Sequence, residues 1–118
     1  MLLTKKGLNT RDALRVAAER GAVEAVRFLV EEGVDKDDGD NDGWTPLIIA
    51  ALDGHLPVIQ YLLEHGADKD KATDNGCSPL WIAAQDGHLD VVQYLLEQRA
   101  DKDKASNTGS NPLFIAAV

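Results

Sequence analysis

The chain has 118 residues, 44% of them hydrophobic, which is enough for one packed domain. Its formal net charge is −8 with no compensating basic cluster, which argues against nucleic acid or an anionic membrane as the main partner. No apolar run approaches the roughly 20 residues of a membrane span, and the first residues have the reverse order of a signal peptide. The single cysteine excludes an internal disulfide and fits a reducing compartment, so an intracellular location, cytoplasmic or nuclear, is predicted.

The sequence repeats itself with a period of 33 residues. GWTPLIIAALDGHL begins at Gly43, GCSPLWIAAQDGHL begins at Gly76, and GSNPLFIAAV begins at Gly109. The two complete copies are identical at 22 of 33 positions. A fixed period of this length is typical of proteins built from stacked units. The pattern predicts a single domain of four units, at residues 8–42, 43–75, 76–108 and, in part, 109–118.

The first unit, residues 8–42, follows the pattern more loosely than the others. Its leucines, alanines and glycines keep the period, at Leu14, Ala17, Ala18, Gly21, Leu29 and Gly33. Charged residues stand where later units are apolar or neutral, at Arg11, Arg15, Glu19 and Arg27, and Arg20 stands where they have an aspartate. Because a stack of repeats needs a polar outer face at its end, this unit is predicted to be the N-terminal cap.

Each later unit is predicted to contain a short helix, a turn, a second helix and an extended loop. Thr45 and Ser78 are helix N-cap types, and each is followed by a proline, which suits the first helical position. Gly54 and Gly87 are expected to end the first helix. The second helix places its apolar residues on one face at spacings of three and four, and the alternating ADKDKA segment after it predicts an extended arm.

GWTPLIIAALDGHLPVIQYLLEHGAD resembles the ankyrin repeat, whose signature runs G-x-T-P-L-H-x-A-A-x-x-G-H, then a helix rich in Val and Leu, then L-L-x-x-G-A-D. The resemblance covers roughly residues 8–118. It implies an all-α solenoid of stacked helix-turn-helix units with short β-hairpin loops. It also implies a non-enzymatic scaffold that binds a protein partner on its concave face without a cofactor.

Two departures from the signature bear on packing. The histidine after T-P-L is replaced by an apolar residue in each unit, namely Ile48, Trp81 and Phe114. Arg99 stands where the earlier units have Gly33 and Gly66. If the backbone is left-handed at this position, the arginine costs about 1 kcal/mol relative to glycine.

No motif makes a convincing catalytic or metal site. His55 and His88 recur with the repeat, which favours a role in the turn, with the imidazole bonded to backbone of the neighbouring loop. The segment DGDNDG, residues 38–43, fits the first half of an EF-hand loop, but its twelfth position is Ile49 instead of a bidentate glutamate. Cys77 has no cysteine partner or base in its pattern. The sequence therefore predicts no catalytic residues, no metal and no cofactor.

The resemblance implies that a partner contacts the loop tips and the exposed positions of each first helix. Carried over position by position, these are Glu19, Arg20, Asn41, Asp42, Trp44, Leu52, Asp53, Asp74, Asn75, Cys77, Gln85, Asp86, Asn107, Thr108 and Ser110. Trp44 and Leu52 are the strongest candidates, because exposed large apolar side chains dominate interface energetics. The alternative is that Trp44 only packs on a neighbouring loop. Acidic residues beside it, such as Asp40, would steer a basic partner.

Two further hypotheses remain open. The near identity of two units also fits a structural segment of a longer tandem array, or an engineered repeat, with no dedicated partner of its own. The last unit contains one helix pattern only, so Leu113, Phe114 and Ile115 are predicted to lack a packing partner and to drive self-association.

Overall fold

The computed structural model describes residues 10–100, with side chains from residue 12 onward. Within this part the chain forms six helices in three pairs and no assigned strand. The helices are α1 (Thr10–Glu19), α2 (Val23–Glu31), α3 (Pro46–Asp53), α4 (Leu56–Glu64), α5 (Pro79–Gln85) and α6 (Leu89–Glu97). The predictions for Asn107, Thr108 and Ser110, and for the self-association of Leu113, Phe114 and Ile115, lie outside the described residues.

The first helix of each complete repeat begins where the sequence predicts. Thr45 Oγ1 accepts a hydrogen bond from the backbone N–H of Ile48 at 3.2 Å. Ser78 Oγ accepts one from the backbone N–H of Trp81 at 3.1 Å. Both cap residues are buried, so these bonds satisfy donors that water cannot reach.

Left-handed residues end the helices. Gly54 follows α3 with φ of 73°, and Gly66 lies past the end of α4 with φ of 91°. Arg99 adopts the same left-handed backbone after α6, with φ of 65°, and it is the one non-glycine residue with positive φ in the described part. The left-handed backbone on which the predicted cost of about 1 kcal/mol depends is therefore present at Arg99, as it is at Gly66.

The helices form two layers. The first helices of the pairs (α1, α3, α5) pack on one another in chain order, and the second helices (α2, α4, α6) do the same. Paired alanines keep the first layer close, since Ala50, Ala51 and Ala83 are fully buried. The second layer contributes one leucine from each repeat to the core, and Leu29, Leu62 and Leu95 are all almost completely buried. The core is therefore continuous along the stack, as expected for repeats that are stable only against their neighbours.

Histidines link each repeat to the one before it. His55 Nε2 lies 2.8 Å from the carbonyl oxygen of Glu19, and His88 Nε2 lies 2.9 Å from that of Leu52. Because a carbonyl only accepts, both imidazoles carry their proton on Nε2. Each ring also packs on a glycine, since a Cβ added to Gly54 would lie 2.5 Å from His88 Nδ1. The predicted structural role of these histidines in the turn is confirmed.

The loops are joined from repeat to repeat as well. Asp37 Oδ1 accepts a hydrogen bond from the backbone N–H of Asp68 at 2.9 Å, and the Asp37 carbonyl accepts one from Lys71 Nζ at 2.7 Å. Nearer the tips, the N–H of Asp74 donates to the carbonyl of Asp42 at 2.9 Å. These bonds join the loop of the first repeat to that of the second.

Two of the charged residues of the first repeat contact the body of the molecule. Arg15 is largely buried, forms an ion pair with Asp12, and donates from Nη1 to the carbonyl of Asp38 at 3.3 Å. The Arg27 guanidinium lies 5.9 Å from the centre of the Tyr61 ring on the next repeat. The N-terminal end of the stack was predicted to be polar, but it carries a groove of about 200 Å³, which we call the end groove. Its lining residues are apolar except for Arg20: Ala13, Val16, Ala17, Arg20, Ala22, Ala25 and Leu29.

Candidate functional site

A groove of about 360 Å³ lies where the first loop tip meets the ends of α1 and α3. We call it the Trp44 groove. Its lining residues are Glu19, Asp40, Asp42, Trp44, Ile49, Leu52 and Asp53. Five of the seven are residues that the sequence predicts to contact a partner, and they come from three separate segments of the chain. The stacking of the repeats thus brings the predicted positions together.

The wall on the loop side is held by Asp40. Its Oδ1 accepts hydrogen bonds from the backbone N–H groups of Asp42 at 2.8 Å and Trp44 at 3.0 Å. The N–H of Asp40 donates to the Trp44 carbonyl at 3.1 Å and closes the tip. These bonds hold the backbone that carries the indole. Trp44 itself is half-buried, packs on the core and lines the groove.

The wall on the helix side comes from the last turn of α3 and the end of α1. Leu52 is 37% exposed, and Asp53 and Glu19 are also exposed. Ile49 lies one turn earlier on α3 and is only partly buried. The groove therefore combines an apolar base, made by Ile49 and Leu52, with a charged rim.

The rim is strongly acidic. Four of the seven lining residues are carboxylates, and within residues 10–100 none of them takes part in an ion pair with a lysine or arginine. None of these carboxylates is therefore neutralised by an ion pair with a lysine or arginine of the described part. An acidic concave surface of this kind raises the local concentration of cationic ligands.

The corresponding positions one repeat later are nearly neutral. Trp44 corresponds to Cys77 and Ile49 to Ile82, while Asp53 corresponds to Asp86. The other three acidic residues of the groove, Glu19, Asp40 and Asp42, correspond to Leu52, Thr73 and Asn75. Asp86 is therefore the one carboxylate at these positions, where the Trp44 groove has four. The backbone is the same in both places, since Thr73 Oγ1 accepts from the N–H of Cys77 at 3.1 Å as Asp40 does from Trp44.

The other predicted positions lie outside the Trp44 groove. Arg20 lines the end groove, although it follows Glu19 directly in sequence. Asn41 is exposed on the first tip but does not line the groove. The second tip and the end of α5 carry the exposed residues Asp74, Asn75, Gln85 and Asp86, with Cys77 half-buried among them.

Two lining residues, Asp40 and Ile49, were not among the predicted contact positions. Asp40 closes the tip through its carboxylate, a role that is visible in sequence only as an Asp four residues before Trp44. Ile49 recurs as Ile82 in the next repeat and therefore looks like a core residue in the sequence. In the structure Ile49 is only partly buried, whereas Ile82 is buried.

The remaining polar groups do not form a second chemical site in the part of the chain described here. Among residues 10–100, no three His, Cys, Asp or Glu side chains are arranged to hold a metal ion. His65 stacks on Tyr61 with ring centres 4.0 Å apart, and its Nδ1 lies 2.8 Å from the Tyr61 carbonyl. None of the described helices is long and apolar enough to cross a membrane.

The comparison with known protein families agrees with this architecture. A family model described as ankyrin repeats in three copies matches residues 1–73 and 66–118. The chain belongs to the ankyrin repeat family. Ankyrin repeats are generally protein–protein interaction modules and are typically non-enzymatic, which is consistent with an open groove instead of a closed pocket. The all-α solenoid of stacked helix-turn-helix units predicted from the sequence is confirmed.

Proposed function

We propose that this ankyrin repeat protein is a non-enzymatic, intracellular binding module whose partner docks across the loop tips and first helices, with the Trp44 groove at the centre of the contact. The observation that carries the proposal is the convergence of Trp44, Leu52 and Asp53 with two further predicted contact residues on one groove. An indole and an exposed leucine beside each other supply the apolar anchor that interfaces need.

The charges of the groove indicate a basic partner. Carboxylates around the apolar base accelerate the encounter with a cationic surface and disfavour an acidic one. The neighbouring exposed residues on the second tip, Asp74 and Asp86 among them, extend the negative surface along the stack. The partner segment would thus lie along the row of tips with its positive charge over the first one.

Affinity capture from a lysate of the source cells tests this proposal with three baits. The baits are the 118-residue chain, a Trp44→Ala/Leu52→Glu double variant, and a Leu89→Glu variant as a control. Leu89 is 64% exposed on α6 and does not line the groove, so its substitution adds the same charge at a different place. Circular dichroism first establishes that all three are folded.

A partner that is captured by the chain and by Leu89→Glu, and lost by the double variant, supports binding at the Trp44 groove. Direct titration of the purified partner should then reproduce the ranking. Identical captures by all three baits, or none, would contradict the proposal. They would favour the alternative in which the chain is a structural segment of a longer array or an engineered repeat.

Self-association through Leu113, Phe114 and Ile115 remains a separate proposal from the sequence. It predicts a molar mass that rises with protein concentration in light scattering. A Phe114→Glu variant should shift the distribution towards the monomer. A monomer at all concentrations in the unsubstituted chain would contradict it.

A further inference from the structure

We propose that the Trp44 groove is a subsite for the guanidinium group of one arginine in the partner. This inference rests on the proposed function and adds the chemistry of the ligand.

The groove fits a long side chain with a charged end. A volume of about 360 Å³ accommodates one large side chain and the backbone next to it. The base, made by Ile49 and Leu52, is apolar and suits a methylene stem, while the carboxylates lie around the rim. Arginine and lysine pack their stems on apolar surface in this way while the charge stays among polar groups.

The lining of the groove favours a guanidinium group over an ammonium group. Trp44 is half-buried and lines the groove, and its backbone N–H donates to Asp40 Oδ1. A planar guanidinium stacks on the face of an aromatic ring and still directs its five N–H donors outwards in its own plane. Carboxylates from both walls, Asp42 on the loop and Asp53 on the helix, are available to those donors. An ammonium group is a compact charge and cannot use both features equally well.

The neighbouring repeat lacks this combination of side chains. There the tryptophan becomes Cys77, and Thr73 and Asn75 replace two carboxylates on an equivalent loop. Within the described part of the stack, a tryptophan with two loop carboxylates is therefore present at the first tip and not at the second. The partner's arginine is expected over the first tip, although Asp74 and Asp86 keep the next repeat acidic as well.

The test uses three tripeptide probes, Ac-Gly-Arg-Gly-NH2 and its lysine and citrulline counterparts, titrated into the 118-residue chain and followed by ¹H–¹⁵N NMR. Citrulline has the shape of arginine without the charge. The arginine probe should shift the amides of residues 40–44 and 49–53 and saturate at millimolar concentration. The citrulline probe should bind about tenfold more weakly or worse, and the lysine probe several-fold more weakly.

Variants locate the effect. Trp44→Ala should weaken binding of the arginine probe about tenfold, whereas Trp44→Phe should retain most of it. Asp42→Asn and Asp53→Asn should each weaken it a few-fold, with a smaller effect at high salt because exposed charges are screened. A Thr73→Asp/Asn75→Asp/Cys77→Trp variant transfers the loop wall to the next repeat and should add a second set of shifts at residues 73–77 and 82–86.

Three results would overturn the inference: equal binding of the citrulline probe, equal binding of the lysine probe, or shifts that are unchanged in Trp44→Ala. If the arginine probe does not bind but a captured partner is still lost by Trp44→Ala/Leu52→Glu, the proposed function stands without an arginine subsite. If neither the probe nor a partner depends on the groove, both proposals fail.

Discussion

Repeats 2 and 3, residues 43–75 and 76–108, have nearly the same backbone wherever both are described, but they present different surfaces. Each first helix has a hydroxyl cap and a proline, and each second helix starts after a histidine bonded to the preceding repeat. The differences fall at Trp44 and Cys77 on the tips, and at Leu52 and Gln85 at the helix ends. The interior is therefore repeated while the outer surface differs from one repeat to the next.

A second group of differences concerns packing instead of the surface. Ile48 and Trp81 occupy the same buried position, and Gly66 corresponds to the left-handed Arg99. Gly54 packs on the histidine of the next repeat, whereas no described atom lies within 4 Å of a Cβ added at Gly87. Each pair offers the same substitution in two environments, so the effect of the environment can be measured.

The largest expected effect is at the buried position of Trp81. Its indole N–H has no hydrogen-bond partner among the described residues, although the ring fills part of the core. Trp81→Ala should lower the free energy of unfolding by about 3–5 kcal/mol because it leaves a cavity. Trp81→Phe should lower it little or raise it, since removal of an unsatisfied donor offsets the lost contacts. Urea denaturation measures the free energy of unfolding of both variants. A larger decrease in Trp81→Phe than in Trp81→Ala would contradict the view that the volume of the ring, and not its N–H group, stabilises the core.

The glycine pair separates backbone strain from the contact between repeats. Gly87→Ala should lower the free energy of unfolding by about 1 kcal/mol, because alanine disfavours the left-handed conformation. Gly54→Ala adds a clash with His88 and should lower it by about 2–4 kcal/mol. Equal losses in the two variants would show that the histidine contact adds no constraint. Gly54→Ala combined with His88→Ala should recover part of the difference in the same denaturation experiment.

The third pair tests the left-handed arginine. Arg99→Gly should raise the free energy of unfolding by about 1 kcal/mol, and Gly66→Arg should lower it by a similar amount. The two changes exchange the residues of repeats 2 and 3 at one position. Thermal and urea denaturation of both variants and of the double exchange check the prediction. A destabilised Arg99→Gly would mean that the arginine side chain makes contacts that outweigh its strained backbone.

The smallest expected effect concerns the tyrosines of the second helices. Tyr61 has Arg27 over its ring, whereas Gln60 holds the corresponding position in the repeat before Tyr94. Burial raises the pKa of Tyr94, and the charges of Glu64 and Glu97 raise it further. The neutral phenol is therefore favoured in the folded state. The stability that it contributes is complete below the unfolded-state pKa of about 10 and is lost as the pH rises through the higher folded-state pKa.

A Tyr94→Phe variant checks this sign. Its free energy of unfolding should fall less steeply above pH 10 than that of the unsubstituted chain, while below pH 9 the difference should be independent of pH. Absorbance titration of the phenolates should lose the transition of Tyr94 in the same variant. Identical pH dependence of the two proteins would contradict the raised pKa.

Local sequence determined most of the helical architecture. Hydroxyl–proline pairs start α3 and α5, and glycines end the helices that they follow, because caps and left-handed residues act over a few neighbouring residues. The 33-residue period, together with the resemblance to a known family, then predicted the stack, since one helix pair cannot bury its apolar face alone. The hydrogen bonds of His55 and His88 to the backbone of the neighbouring repeat were also predicted, because these histidines recur with the repeat.

Only the tertiary structure decided which surface residues lie together. Glu19 joins the Trp44 groove while its neighbour Arg20 lines the end groove, because α1 ends at Glu19 and only the packing of the repeats fixes which way each side chain faces. Ile49 is only partly buried although its counterpart Ile82 is buried, and Trp44 is half-buried where the leading hypothesis placed it at an exposed tip. Both outcomes depend on how one loop lies over the next helix. That contact spans several residues in sequence and depends on the packing of whole repeats, which no short motif encodes.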